Sequence, residues 1–326
     1  MQRPRLGRVI EIPAELAASQ AKYNGEAGRA FIAALPSRAE EFLDRWGLRV
    51  TGPSMHGVAS LVLPVVAARD GVPGALKLQL LDEETAGEPV ALRAWAGDGA
   101  VRLLAHDPGT GTMLLERAGG TPPGFAGGTP TQAGGSGGAG RHLSRVADAR
   151  EAVGILADLL ARLVAVPAPP GLRRLGDIAA RMVARTPAAA ARLADPDEAA
   201  LLRDCAAAVR EVMGEPGDRL LHWDLHYDNV LAAEREPWLA IDPKPLSGDP
   251  GFELLPALTN RWDPDPAEIR WRFDLLTERL GLDRARARAW TLGRVLQNGL
   301  WEVADGAPAL DPDQVSIARN LLARHP

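Results

Sequence analysis

Residues His222 to Asn229 read HWDLHYDN, a window that holds two of the chain's six histidines, two aspartates and one of its five asparagines. Leu220-Leu221 precedes the window and Val230-Leu231 follows it. Polar residues gripped between apolar anchors mark a loop held by a core, where catalytic groups tend to sit. Asp242 follows the apolar run Trp238–Ile241 and should leave the end of a strand beside that loop. An aspartate, an asparagine five residues on and a second aspartate from a neighbouring strand suit phosphoryl transfer. One carboxylate orients the attacking hydroxyl and takes its proton, while an amide oxygen and the second carboxylate hold magnesium, a hard cation that takes oxygen ligands. Asp224, Asn229 and Asp242 are the candidates, with His222 supporting the loop through hydrogen bonds.

Such a site also needs a cation for the nucleotide phosphates. Only three of the 37 basic residues are lysines: Lys22, Lys77 and Lys244. Where arginine does the routine surface work, a lysine is a less expected surface filler. Lys77 sits among apolar residues in ALKLQL and is the candidate, with Glu88 as its acidic partner and Glu83 or Glu84 as substitutes.

The positioning elements follow from pattern. After a short helix around Ala30–Trp46, residues 48–81 read as strands, with GVASLVLPVVA and ALKLQLL joined by the turn signal RDGVPG. GEPVALRAWAG reads as a helix, and AVRLLAHD and TMLLERA as two more strands. Residues 1–118 thus form a small, mostly antiparallel sheet with one embedded helix. Residues 119–141 contain ten glycines in 23 positions and read as a flexible crossing, unable to bury enough apolar area to offset ordering entropy. Residues 142–326 turn helical, with apolar stripes at three- and four-residue spacing in Arg150–Val164, Leu201–Val212, Ile269–Leu280 and Ala285–Val303. The fold class is α+β. Trp271 and Trp290 lie on such stripes and should be core, while Trp223 and Trp238 should pack the loop.

With 326 residues, 46% of them hydrophobic, the chain can bury a sizeable core, and its net charge of −5 argues against a sequence-independent nucleic-acid binder. No run approaches eighteen apolar residues, and Met1–Ile12 lacks an apolar signal core, so neither membrane nor export is expected and the compartment expected is the cytoplasm. The single cysteine, Cys205, excludes an intrachain disulfide and lies on an apolar stripe as a buried, inert thiol.

HWDLHYDN followed by IDPKPLSGDPGFEL resembles the aminoglycoside phosphotransferase family, relatives of the protein kinases, and more narrowly its streptomycin and hydroxyurea phosphotransferase branch. His222, Asp224, Asn229, Asp242 and the GDP turn at Gly248–Pro250 carry the resemblance, and lobe order agrees over Leu48 to Val303. It implies a bilobal kinase-like fold, with a small antiparallel-sheet N-lobe for the nucleotide, a larger helical C-lobe and ATP in the cleft. Asp224 would be the catalytic base, and Asn229 and Asp242 the Mg2+ ligands. Lys77 would contact the α- and β-phosphates, and the backbone of Glu116–Ala118 the adenine. The turn Gly52–Gly57, with His56 and Gly57, would cover the phosphates. Pro89 puts Glu88 at a helix start, and Glu253 stands where many members carry aspartate.

The expected activity is ATP- and Mg2+-dependent phosphorylation of a hydroxyl on a small polar molecule, a streptomycin-like aminoglycoside first and hydroxyurea second. Glu253, Asp263, Glu302 and Asp305, beside Trp262, are expected to line an acidic C-lobe cleft that attracts a polycationic acceptor. Two rival readings use the same window. His222, Asp224 and His226 have a spacing that would let a metal-dependent hydrolase bind its ion, and a kinase-like fold can hold nucleotide without turnover. No GxxxxGK[ST] motif is present, which removes the P-loop reading.

Overall fold

The segments with two-residue alternation pair into one antiparallel sheet. A computed structural model describes residues 10–57, 59–119 and 141–323. In it strands β1 (Leu48–Val50), β2 (Met55–His56), β3 (Ser60–Ala67), β4 (Pro73–Gln79), β5 (Leu103–Asp107) and β6 (Thr112–Glu116) lie in the order β1-β3-β4-β6-β5, with β2 also on β3. The β3–β4 hairpin forms where the turn signal placed it. Met55, Val62, Lys77 and Met113 stand in register across β2, β3, β4 and β6.

Successive side chains of a strand face opposite ways. Leu61, Leu63, Val65, Leu76 and Leu78 therefore share one face and bury against Leu16, Phe31, Leu35, Ala39 and Phe42 of helix α1 (Ala14–Arg45). Lys77 and Gln79 alternate out of that core, toward helix α2 (Glu88–Trp95) and the second lobe. Helix α1 is far longer than the segment expected from Ala30. Residues 14–29 are alanine-rich and helix-favouring but show no clear apolar stripe, and the helix kinks at Gly25, whose φ is 53°.

The second lobe contains helices α3 (Ala149–Leu163), α4 (Leu175–Ala190), α5 (Pro196–Val212), α6 (Leu255–Thr259), α7 (Pro266–Arg279), α8 (Arg284–Ala304) and α9 (Pro312–Leu322). Among them run the short strands β7 (Arg173–Arg174), β8 (Arg219–Leu221), β9 (Val230–Ala232), β10 (Trp238–Ala240) and β11 (Leu246–Gly248). β9 and β10 form a hairpin, and β11 lies between β7 and β8. Asp195, Asp265 and Asp311 cap α5, α7 and α9 through their side chains, each with proline next, a residue preorganised for the first helical position. The largest core runs through both lobes, from Trp95 of α2 and Met113 of β6 to Trp290 and Leu296 of α8. Cys205 is buried in it, and burial pushes its thiol up to about 12. Trp271 is only half-buried, beneath the Arg150 guanidinium.

The crossing expected over residues 119–141 lies outside the described residues except at its two ends. Gly119 N–H donates to Ala232 O at 2.6 Å and Ala232 N–H to Arg141 O at 2.8 Å, so both ends flank β9. No described helix is long and apolar enough to cross a membrane. Phe42 is fully buried between α1 and the sheet. Phe42→Ala should cost about 3–5 kcal/mol of stability by the cavity it leaves, measured by denaturant unfolding; a loss under about 1 kcal/mol would mean that α1 does not cover the sheet.

Candidate active site

The HWDLHYDN window leaves β8, passes through a 3-10 turn at Tyr227–Asn229 and enters β9. His222 is fully buried, and burial lowers its imidazole to about 4, so the ring is neutral near pH 7. Its Nε2–H donates to Ile241 O at 3.0 Å, and its Nδ1 accepts the Asp224 N–H at 3.3 Å. One ring thus spans the loop and the chain that carries Asp242. Asn229 Nδ2 donates to Asp224 O at 2.8 Å, Ile241 N–H to Asn229 O at 2.9 Å and Lys244 N–H to His222 O at 3.0 Å. These bonds lock the acidic side chains of two separate segments into one relative position.

Two lysines engage the two carboxylates. Lys77 Nζ, 4% exposed, lies 2.7 Å from both oxygens of Glu88 and 2.5 Å from Asp242 Oδ1. Burial by itself would favour loss of the lysine proton, but the Asp242 and Glu88 charges outweigh it and hold the ammonium above its ordinary pKa. Burial acts on Asp242 in the opposite sense, and Lys77 overcomes it, lowering that carboxyl to about 2. Glu88 is 1% exposed, and burial raises its carboxyl despite the lysine. The second lysine, Lys244, places Nζ 2.6 Å from Asp224 Oδ2. Glu84 faces Arg173 at 3.6 Å, and Glu88 takes Lys77 from the helix start where Pro89 put it.

The loop carries backbone strain at both ends of this arrangement. Trp223 and Asp242 have φ of 65° and 56°, the left-handed region that bulky side chains avoid. Trp223 is held there from all sides. Its N–H donates to Glu253 Oε1 at 2.7 Å, its ring stacks on Trp301 at 6.0 Å, and the guanidiniums of Arg173 and Arg294 lie 4.4 and 5.1 Å from its centroid. Burial pushes Glu253 up to about 7 and Arg294 down to about 10.

The family model described as aminoglycoside/hydroxyurea antibiotic resistance kinase matches residues 45–123 and 136–306. This chain belongs to that family. It is 61% identical over 322 residues to a hydroxyurea phosphotransferase of Kitasatospora aureofaciens, covering 98% of this chain and 88% of that one. It is 57% identical over 320 residues to a streptomycin 6-kinase of Streptomyces glaucescens, covering 96% and 98%. Among solved structures, a thermostable mutant of an aminoglycoside phosphotransferase in ternary complex with ADP and hygromycin B matches at a TM-score of 0.57 and 14% identity, over 87% of this chain and 99% of that one. The kinase is therefore a phosphotransferase with a hydroxyl acceptor on a protein-kinase-like fold.

In this kinase the residues expected to line an acidic cleft lie apart from the cavity next to Asp224. A cavity of about 240 Å³ opens beside Asp224, and its acidic lining comes from Asp311 and Asp313 at the start of α9, with His226, Arg294 and Asn298. Glu253 is 1% exposed and serves the Trp223 backbone instead. Glu302 Oε2 accepts Asp311 N–H at 3.1 Å and so braces the cavity wall from behind. Asp263 is exposed and accepts Asp265 N–H ahead of α7, Trp262 packs half-buried on the core, and Asp305 ends α8 in solvent. None of these five lines the cavity. The apolar stripes legible in the helical region 142–326 end at Val303 and do not mark α9, although Asp-Pro at 311–312 is a helix-start signal. Lys244 too was left without a role, although the scarcity of lysine pointed to it.

On the sheet side, His56 is exposed on β2 and pairs with Leu61, which puts it in register with Leu78, one residue off Lys77. Gly57 N–H donates to Ser60 O at 3.0 Å, closing the β2–β3 turn. Glu116 spends its carboxylate on Arg235 at 2.9 and 3.0 Å and on Arg102 N–H, tying β6 to the β9–β10 hairpin. Ala118 packs half-buried on the shared core just before Gly119.

A carboxyl whose folded pKa lies above its unfolded one retains its proton in the folded state between about pH 4.3 and 7, so stability from Glu253 falls as pH rises through that window. His222 acts in the opposite sense, adding stability as pH rises from about 4 to 6.5. Glu253→Gln keeps an acceptor for Trp223 N–H and removes the ionisation. Its stability relative to the wild type should therefore grow between pH 5 and 8, by on the order of 3 kcal/mol; thermal unfolding that shows a constant difference would refute the buried, raised carboxyl.

Proposed function

We propose that this kinase transfers the γ-phosphoryl group of ATP to a hydroxyl of a small polar molecule, with streptomycin as the first acceptor and hydroxyurea the second. The observation that carries the reading is Lys77, a first-lobe cation bonded to Glu88 of its own lobe and to Asp242 of the other. That arrangement suits the phosphates of a nucleotide bound between the lobes. The acceptors come from the relatives named above and from the acidic lining of the cavity beside Asp224.

In this reading the acceptor hydroxyl lies against Asp224, whose Oδ2 is held by Lys244. The other carboxylate oxygen takes the hydroxyl proton as the hydroxyl oxygen bonds to the γ-phosphorus. The bond from that phosphorus to the bridging oxygen breaks, and its electron pair leaves on ADP. Lys77 orients the α- and β-phosphates, and Glu88 holds the lysine head in place. The donor set fits magnesium: Asn229 commits its Nδ2 to Asp224 O, which leaves its Oδ1 as a ligand, and Asp242 commits one oxygen to Lys77 and keeps the other. Bound there, Mg2+ would neutralise phosphate charge. The backbone of Glu116–Ala118 meets the adenine, and the turn bearing His56 and Gly57 covers the phosphates.

The hydrolase alternative is disfavoured because both ring nitrogens of His222 are already committed, to Ile241 O and Asp224 N–H, and His226 Nδ1 accepts Asp228 N–H. Among the described residues, no group of three His, Cys, Asp or Glu side chains is arranged to hold a metal ion.

ADP release across a panel of streptomycin, other aminoglycosides, hydroxyurea and simple sugars tests the acceptor class; release with none of them would sink it. Asp224→Asn should lower kcat by about 10²–10⁴-fold with ADP affinity kept, and a wild-type rate would remove Asp224 as base. Asp313→Asn should raise KM for streptomycin by roughly threefold to tenfold with kcat little changed, as loss of one partly exposed charge pair implies; an unchanged KM would take Asp313 out of the acceptor site.

A further inference from the structure

Lys244 stands outside every role given so far. Its main chain is clamped: its N–H donates to His222 O at 3.0 Å, and its carbonyl accepts Arg173 Nη2 at 3.3 Å. Pro243 and Pro245 flank it, which removes two backbone donors and restricts the torsions on either side. Only the side chain can move. It is 33% exposed at the cleft, and among the described residues its ammonium has one hydrogen-bond partner, Asp224 Oδ2 at 2.6 Å. An ammonium has three N–H groups, so two remain after that bond.

An ion pair of this exposure adds little to stability, about 0–1 kcal/mol. At the reacting centre it even works against proton transfer, because a cation on a carboxylate makes it a weaker base. That cost is offset if the same charge meets the group in flight, whose negative charge is spread over three equatorial oxygens beside the base. Lys77 is assigned to the α- and β-phosphates in the reading above, with Glu88 and Asp242 sharing its ammonium.

We propose that Lys244 is a second phosphate-directed lysine: it holds Asp224 by one carboxylate oxygen and donates its remaining N–H groups to the γ-phosphoryl group during transfer. The inference rests on the phosphotransferase reading above. The hydroxyl proton goes to the free oxygen of Asp224, the new oxygen–phosphorus bond forms as the bond to ADP breaks, and Lys244 stays protonated throughout. By touching base and transferred group together, it fixes the distance between them.

The test compares Lys244→Met, Lys244→Arg and Asp224→Asn, with streptomycin and hydroxyurea as acceptors. Lys244→Met should lower kcat by about 10²–10³-fold, the loss expected for one aimed donor, with ADP affinity within about threefold of wild type. The wild type should prefer the β,γ-imido analogue of ATP over ADP, and Lys244→Met should lose that preference, read by calorimetry without turnover. Lys244→Arg keeps the charge with a different donor geometry and should recover at least part of kcat. A Lys244→Met rate within about threefold of wild type, an unchanged analogue preference, or an arginine variant no faster than the methionine one would overturn the assignment. Should the methionine variant not fold, Lys244→Gln is read by the same measures. Wild-type turnover in Asp224→Asn would sink the parent reading as well; an inactive Asp224→Asn beside a fully active Lys244→Met would sink this inference alone.

Discussion

A buried ammonium between two lobes needs anionic partners, and most of the architecture around the cleft can be read from that need. Removing a charge from water is costly unless it is paired and hydrogen-bonded. Lys77 meets the condition only because α2 brings Glu88 beneath β4 while the second lobe supplies Asp242. The two carboxylates come from elements more than 150 residues apart, so the pairing makes the relation of the lobes part of the site. The shared core of α2, β6 and the helical lobe supplies the rigidity that keeps the three charges together.

The second constraint is strain. Trp223 and Asp242 occupy backbone conformations that cost on the order of 1–3 kcal/mol each, and both flank the acidic pair. The surroundings over-determine them. His222 ties one strained segment to the other through Ile241, and Glu253 holds the Trp223 amide. The guanidiniums of Arg173 and Arg294 lie close to the Trp223 ring, and Trp301 stacks on it. Glu253 thus acts on the loop from behind, through the Trp223 amide.

Much of the site was legible from local pattern. Apolar anchors around HWDLHYDN marked a rigid loop, and the alternation of Leu76, Lys77 and Leu78 placed the lysine on the face opposite the α1 core. Helix starts encoded by Asp-Pro and the turn in RDGVPG are local signals too. What pattern did not carry was the α1 segment before Ala30, where helix propensity without an apolar stripe leaves little to count. Nor did it carry the acidic wall of the cavity. Glu302 and Asp305 looked suitable for an acidic cleft, but side chains on a helix point in directions that only packing assigns, and it is Asp311 and Asp313 at the start of α9 that line the cavity.

Residue type and short-range order fixed which chemistry was available: hard oxygen donors at fixed spacing on a gripped loop and a rare lysine inside a strand. The chain states both outright. Tertiary structure alone decided the partners. It chose Glu88 over Glu83 and Glu84, set Lys244 against Asp224, withdrew Glu253 from solvent and built the acidic wall from a helix beyond Val303. Each of those outcomes is an encounter between side chains distant in sequence or of equal local merit, and the choice among such candidates is made only by the burial and packing of the elements that bear them.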